Sequence, residues 1–206
     1  ALEFAEKISK SGTQPIIGTQ INFSLEGIIG RLSLFSISTL GYKNLIQLSS
    51  KSYLDSDEKS DPHCKINELK NINQDLILLS GNFYGFFGKL FKLNKIKQID
   101  ATIKELKNIF KDRFYFEIQR HNELGEESFE NFIIELSAKY KIPLIATQEV
   151  FYLTKDMHEA HDALVCIGQK NFVNETNRAK YSDQHYLKKN EELVELFKDI
   201  PEALEN

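Results

Sequence analysis

Residues 142–151 read IPLIATQEVF, and the architecture of the chain is argued outward from them. Leu144, Ile145 and Ala146 form a short apolar run with Pro143 at its head and polar residues after Thr147. A strand covered on both faces reads this way, because a parallel sheet under helices leaves no solvent side for polar residues to alternate with. Proline is tolerated at the first residue of a strand, where the missing N–H removes little from the ladder. In open α/β sheets and α/β barrels, chemistry sits just past the carboxyl ends of the strands. Gln148, Glu149, Val150 and Phe151 fall in that position.

Upstream, Phe129, Phe132, Ile133, Leu136 and Tyr140 mark the helix that leads into this strand. Arg113–Gln119 (RFYFEIQ) reads as a strand, and Ile96, Ile99, Ile103, Leu106 and Phe110 step by three and four as an amphipathic helix. Asp75–Ser80 (DLILLS) is a buried strand closed by Gly81, and Phe83–Leu93 is rich in aromatics and glycine. Gly41–Leu54 reads as a helix with Leu45, Leu48 and Ser52 inward, followed by a polar surface loop at 54–64. Pro15–Phe23 (PIIGTQINF) and Arg31–Ser38 (RLSLFSIS) read as the first two strands. Ala1–Ser11 reads as the end of a helix, with Leu2, Ala5 and Ile8 on one face and Gly12 as its stop.

Downstream, Lys155–Ile167 reads as a helix with Met157, Ala160, Leu164 and Ile167 inward, and Asn190 as the cap of a closing helix through Phe197. Helices thus alternate with buried strands at least from Leu76 to Ile167. That pattern predicts an α/β fold with a parallel sheet, open or closed, and right-handed crossovers.

The 206 residues suffice for one sizeable core, and 27% charged against 41% hydrophobic residues is the composition of a soluble globular chain. No apolar run is long enough to span a bilayer, and the start carries no basic segment of a secretory signal. A chain that opens without Met inside a helical pattern reads as a fragment. Cys64 and Cys166 are far apart and form no CxxC motif, which predicts free thiols and a cytoplasmic location.

The net charge of −4 is unevenly spread. Between Lys89 and Arg113 stand eight cations against three anions, whereas Glu123, Glu126, Glu127, Glu130 and Glu135 follow with no cation among them. The basic segment is either a solvated helix face or a surface that meets phosphates of a duplex or another partner.

At the strand ends lie Gln20, Arg31, Asn82, Glu117 with His121, and Glu149. A metal-dependent hydrolase needs anionic and imidazole ligands converging there. Glu149 and His121 qualify by type. Gln20 and Asn82 are neutral and weak, Arg31 is a permanent cation that repels a metal ion, and Phe151 cannot ligate at all. His158 and His161 form an H-x-x-H pair that one helix face could present jointly. His161 falls in the expected inward stripe, however, which points to a hydrogen-bonded core histidine with Asp162 as its partner. No Walker loop, GxGxxG fingerprint, GxSxG elbow or metalloprotease motif occurs.

The runs PIIGTQ, LGYKNLIQLSSKSYL, DLILLSG, DRFYFEIQRH, IPLIATQEVFYL, HEAHDALVCI and QHYLKKNEELVELFKDIPEALEN together resemble one family. It is the PHP (polymerase and histidinol phosphatase) domain of the bacterial replicative DNA polymerase III alpha subunit. The resemblance covers the whole chain in constant order. It implies a distorted seven-stranded β/α barrel, of which the N-terminal strands and an HxH metal motif are missing here. It further implies a single domain over 1–206, with residues from about 190 leading toward the polymerase core.

In metal-bearing members of the family, ligands stand where this chain has Gln20, Arg31, Asn82, Glu149 and Phe151. Only Glu149 keeps a possible ligand, so the resemblance implies a degenerate metal site, no metal or cofactor, and no catalytic residue in this chain. Magnesium would belong to the parent polymerase core. The implied role is structural: bracing the core and docking the separate proofreading exonuclease among the other holoenzyme subunits, with DNA met through the parent chain and no membrane. The alternatives are a metal-dependent phosphoesterase or 3′–5′ exonuclease with different ligands, and an interaction module or decayed fragment without a working polymerase.

Overall fold

The computed structural model describes residues 2–57 and 59–206; the readings that fall on Ala1 and Glu58 lie outside them. Among the described residues six strands form one sheet: β1 (Gly18–Leu25), β2 (Ile28–Ser36), β3 (Cys64–Lys65), β4 (Leu76–Leu79), β5 (Phe114–Ile118) and β6 (Leu144–Ala146). Their order across the sheet is β3-β1-β2-β4-β5-β6. The helices are α1 (Leu2–Lys10), α2 (Thr39–Leu54), α3 (Phe86–Lys92), α4 (Ile96–Phe110), α5 (Glu126–Tyr140), α6 (His158–Gln169), α7 (Asn190–Leu196) and α8 (Glu202–Glu205). The chain packs as two compact units, Ala1–Phe116 with Tyr140–Pro143, and Glu117–Lys139 with Leu144–Asn206.

In the first unit the expected parallel sheet is a mixed one. β1 and β2 pair antiparallel from Gly18 opposite Phe35 to Leu25 opposite Ile28. They are joined by Glu26 and Gly27, both at positive φ (49° and 80°). A two-residue loop joins only antiparallel neighbours, and positive φ at both positions matches the turn's twist to that of the strands. β2 also pairs antiparallel with β4, whereas β4 runs parallel to β5 through the α3–α4 crossover. β3 pairs parallel with β1 through Phe23–Cys64 and Ser24–Lys65. Being two residues long and set in a polar stretch, β3 carries no alternation that a sequence reading detects, and the segment reads as loop. β2 buries Leu32, Ser33 and Leu34 in succession, as a strand covered on both faces does.

The helices of this unit follow their periodicity. α2 buries Gly41, Leu45, Leu48 and Ser52, and α4 buries Ile99, Thr102, Ile103, Leu106 and Phe110. Ser38 caps α2 by accepting from Leu40 N and Gly41 N, each at 3.1 Å, and its hydroxyl donates to the Asp75 carboxylate at 2.6 Å. The cap thereby ties the helix start to the residue before β4. Gly41 is required by the same junction: a Cβ there would lie 2.1 Å from the Asp75 carbonyl oxygen.

In the second unit, α5 buries Phe129, Ile133 and Leu136 as expected. β6 is less covered than an apolar run suggests, with Leu144 buried and Ile145 and Ala146 half-buried. The inward face assigned to α6 is its outward one. Met157, Leu164 (64% exposed) and Ile167 (75%) face solvent, while Cys166 is buried and His158, His161, Asp162 and Val165 are half-buried. Both faces of this short helix carry apolar residues, so periodicity could not choose between them. The closing helix α7 is capped by Lys189 rather than Asn190, whose position is the first helical one; the Glu192 carboxylate accepts from Lys189 N at 2.8 Å.

Cys64 and Cys166 are free and buried, in agreement with the cysteine reading. Burial, reinforced by Glu68, pushes the Cys64 thiol up to about 11. It therefore stays protonated and unreactive toward Ellman's reagent at pH 8 until the protein is unfolded in urea. Gly41→Ala is expected to lower stability by roughly 2 kcal/mol or more, since backbone must shift to admit the methyl; urea unfolding followed by circular dichroism measures it.

Candidate functional site

The strand-end residues of the first unit sit as follows. Gln20 on β1 is exposed and its amide reaches Ser33 Oγ across the hairpin at 3.4 Å. Arg31, exposed on β2, is paired in register with Asn22. Asn82 follows β4, and its Oδ1 accepts from Tyr84 N at 3.0 Å, closing a turn. Close packing here depends on glycine: Cβ atoms at Gly81 and Gly85 would lie 3.0 Å and 3.1 Å from the Arg31 carbonyl oxygen. The side chains offered are two amides and a guanidinium, none of them anionic.

The second unit carries a denser arrangement. His121, just past β5, and His185 are each 2% exposed, and their rings stack with centroids 4.2 Å apart and planes 1° from parallel. The backbone of Glu149 is bonded by both rings. Its N–H donates to His121 Nε2 at 3.2 Å, and its carbonyl accepts from His185 Nδ1 at 3.0 Å. The acceptor role of Nε2 places the His121 proton on Nδ1, 3.4 Å from the Glu126 carboxylate. His185 Nε2 lies 3.3 Å from Glu123 Oε1.

Both carboxylates are also spent on backbone. Glu126 accepts from His121 N at 2.7 Å, and Glu123 accepts from Ser182 N at 2.9 Å. Phe151 extends the stack, 4.6 Å from His185 at 17° and 5.1 Å from His161 at 9°, with the Tyr181 ring edge-on at 5.0 Å. Residues 151–152 run parallel to 185–187: Phe151 N donates to His185 O at 2.9 Å and Leu187 N to Tyr152 O at 3.0 Å.

Two further networks frame this stack. Glu117 Oε1 accepts from Gln119 Nε2 at 3.0 Å and from the Thr147 hydroxyl, joining the ends of β5 and β6. Arg120 spans the Glu130 carboxylate, both oxygens of Asp199 at 2.7 Å each, and the Leu196 carbonyl; these partners raise its already high pKa further. A planar guanidinium serves such a multidentate role as lysine cannot.

The H-x-x-H pair does not act jointly. His158 Nε2 is engaged with the Tyr181 carbonyl at 3.0 Å, while His161 packs on Phe151. Asp162 is not the partner of His161. It pairs with Arg178, whose side chain is buried, through Nη1–Oδ1 at 2.5 Å and Nη2–Oδ2 at 2.6 Å, and that pairing lowers the Asp162 pKa. His185, Glu123 and Arg120 were not singled out in the sequence. The available signal was four of the five histidines falling between residues 121 and 185, in a segment where acidic side chains outnumber nearby cations.

Chemically, both nitrogens of each stacked ring face protein groups, so the arrangement holds loops together and presents no free base. Among the described residues no three His, Cys, Asp or Glu side chains are grouped to hold a metal ion. Arg31 and Phe151 offer no lone pair to a divalent cation, and Gln20 and Asn82 offer only neutral amide oxygens.

Residues 1–121, more than half of the chain, match the PHP domain family, and the chain belongs to that family. Over its whole length it is 39% identical to the DNA polymerase III subunit alpha of Rickettsia bellii, across 207 residues. It is 35% identical to the subunit alpha of Caulobacter vibrioides and 32% to that of Pseudomonas aeruginosa, again over all of this chain. The chain spans only 18–19% of the length of these relatives.

Burial, helped by the neighbouring His121 ring, lowers the pKa of His185 from its ordinary value of 6.5. A depressed folded value means stability that is present above 6.5 and is lost as pH falls below it. Thermal unfolding is expected to drop between pH 6.5 and 5 in the wild type. The drop should be shallower in His185→Phe, which keeps the stacking ring but has no proton site.

Proposed function

We propose that this chain serves as the PHP domain of a bacterial replicative DNA polymerase III alpha subunit and acts there as a structural module without hydrolytic activity. The similarity to three alpha subunits over the entire chain supports the assignment to that parent. The role follows from the side chains at the family's ligand positions. The observation that carries it is Phe151: its ring lies between the imidazoles of His161 and His185, at a position where metal-bearing relatives are expected to place a histidine ligand. A benzyl ring donates no lone pair, and a cation in its place would lose its ligand and meet packed aromatic surface.

In this proposal the parent chain is a DNA-directed DNA polymerase of the cytoplasm. Its nucleotidyl transfer uses magnesium in the polymerase core, and this domain supplies no catalytic residue. The domain braces that core and docks the proofreading exonuclease among the holoenzyme subunits. Its six-stranded sheet belongs to a distorted seven-stranded barrel. No helix among the described residues is long and apolar enough to cross a membrane.

The test is made on the full-length alpha subunit, dialysed against chelator and then exposed to Zn or Mn. Metal analysis is expected to find no stoichiometric Zn or Mn. Glu149→Ala is expected to leave primer extension within about twofold, with no 3′–5′ nuclease activity to lose. Stoichiometric metal together with nuclease activity abolished by Glu149→Ala would establish the phosphoesterase alternative instead.

A further inference from the structure

The basic segment Lys89–Arg113 divides into two parts of different fate. Three cations of its C-terminal part are engaged within the first unit. Lys104 faces Asp100 at 3.8 Å, Lys107 donates to the Tyr140 carbonyl, and Arg113 donates to the carbonyls of Asn73, at 2.7 Å, and Leu76. The N-terminal part lies at the corner where α3 turns into α4, with Asn94 at positive φ (53°) making the turn. From Phe83 to Ile99 there are four lysines, Lys89, Lys92, Lys95 and Lys97, and no carboxylate.

All four lysines are exposed, and among the described residues none of them makes an ion pair. Lys89 is anchored on the Ile29 carbonyl at 2.7 Å. Lys92 sits 3.6 Å from the centroid of the Phe83 ring and 4.3 Å from that of Tyr84. Tyr84 is 40% exposed. The carboxylates bordering the corner already have partners: Glu26 accepts from Gln98, and Asp100 faces Lys104. Burial against the rings and the neighbouring Lys89 lower the Lys92 pKa, as fits a cation crowded by like charge and open to an anionic partner.

We propose that this corner is a binding surface for single-stranded nucleic acid, with Lys92, Lys95 and Lys97 meeting consecutive phosphates and Tyr84 offering its ring to a base. Excess cationic charge without carboxylate neighbours selects a polyanion. The exposed aromatic ring beside it selects one that carries flat π-faces. A duplex hides its base faces in the stack, and an acidic peptide has none, so an unpaired strand is the partner that uses both features. The inference rests on the corner alone and stands independently of the metal chemistry argued above.

The test is fluorescence anisotropy with labelled oligo(dT) of about 20 nucleotides and the full-length protein, across a salt series. The K92Q/K95Q/K97Q variant is expected to bind more weakly, with a log–log salt slope shallower by about 2, since each single-strand phosphate contact contributes about 0.7. Tyr84→Ala is expected to weaken binding about tenfold with the slope kept, and Tyr84→Phe to restore it, because stacking needs the ring and not the hydroxyl. Unfolding midpoints equal to wild type establish that the variants are folded.

An unchanged slope in the triple variant would overturn the proposal. So would equal losses for oligo(dT) and for duplex of the same length, which would make the corner a non-specific phosphate surface. Poly-glutamate competing as well as oligo(dT) at equal charge, or lysine-dependent binding to phosphatidylserine vesicles with oligo(dT) binding unaffected, would assign the corner to an acidic protein or to a membrane.

Discussion

One residue, Glu149, has its backbone held from both sides by imidazole: its N–H by His121 and its C=O by His185. Loops past strand ends have no ladder to satisfy their backbone groups, and a buried unpaired N–H or C=O costs about as much as a lost hydrogen bond. In the second unit histidine rings supply those bonds. Because the two rings stack face to face, each fixes the plane in which the other can make its bond. The Glu126 carboxylate faces the outer nitrogen of His121, the Glu123 carboxylate lies beside that of His185, and both carboxylates are tied to backbone amides, those of His121 and Ser182. Residues 121–126, 149–152 and 181–187 are therefore fastened to one another by side chains that depend on each other, and removing one ring leaves several buried groups without partners at once.

This dependence explains why an aromatic residue is tolerated at position 151. A metal ion would order such loops by drawing anionic and imidazole ligands to a point. In this chain planar packing contributes to that order, with Phe151 continuing the stack from His185 to His161. The two solutions make opposite demands on charge. Metal ligation requires negative charge to collect, whereas protonating a ring buried in a stack is opposed by desolvation. The lowered pKa of His185 is in keeping with the second solution.

Much of the element order could be read from the residues because local period and tertiary role coincide there. The stripe of α4 and the apolar runs of β4 and β5 have no competing face to bury, and they fall where expected. Where two faces are alike, the period is silent. α6 carries Met157, Leu164 and Ile167 on one side and His161, Asp162 and Cys166 on the other, and hydropathy favours the first, yet the second is turned inward. What decides is that Asp162 has Arg178 and His161 has Phe151, partners from distant positions that a local window does not contain. The β1–β2 hairpin was missed for a different reason. Glu26-Gly27 is a turn signal of the right length, but strands of near-continuous apolar content such as β2 read alike in parallel and antiparallel sheets.

The ligand positions separate into what residue type alone decides and what it does not. That Arg31 repels a cation and Phe151 cannot bind one follows from their functional groups, without coordinates. What replaces ligation does not follow, because it depends on His185, which lies more than thirty residues beyond Phe151 and within a stretch of no strong periodicity. A degenerate site read from sequence is only a list of losses. The structure adds what holds this loop: the backbone N–H and C=O of Glu149 are bonded by rings from His121 and His185. By the same logic, a histidine placed at position 151 alone would not by itself create a ligand set there, since it would stack on His185, whose nitrogens already face the Glu149 carbonyl and the Glu123 carboxylate.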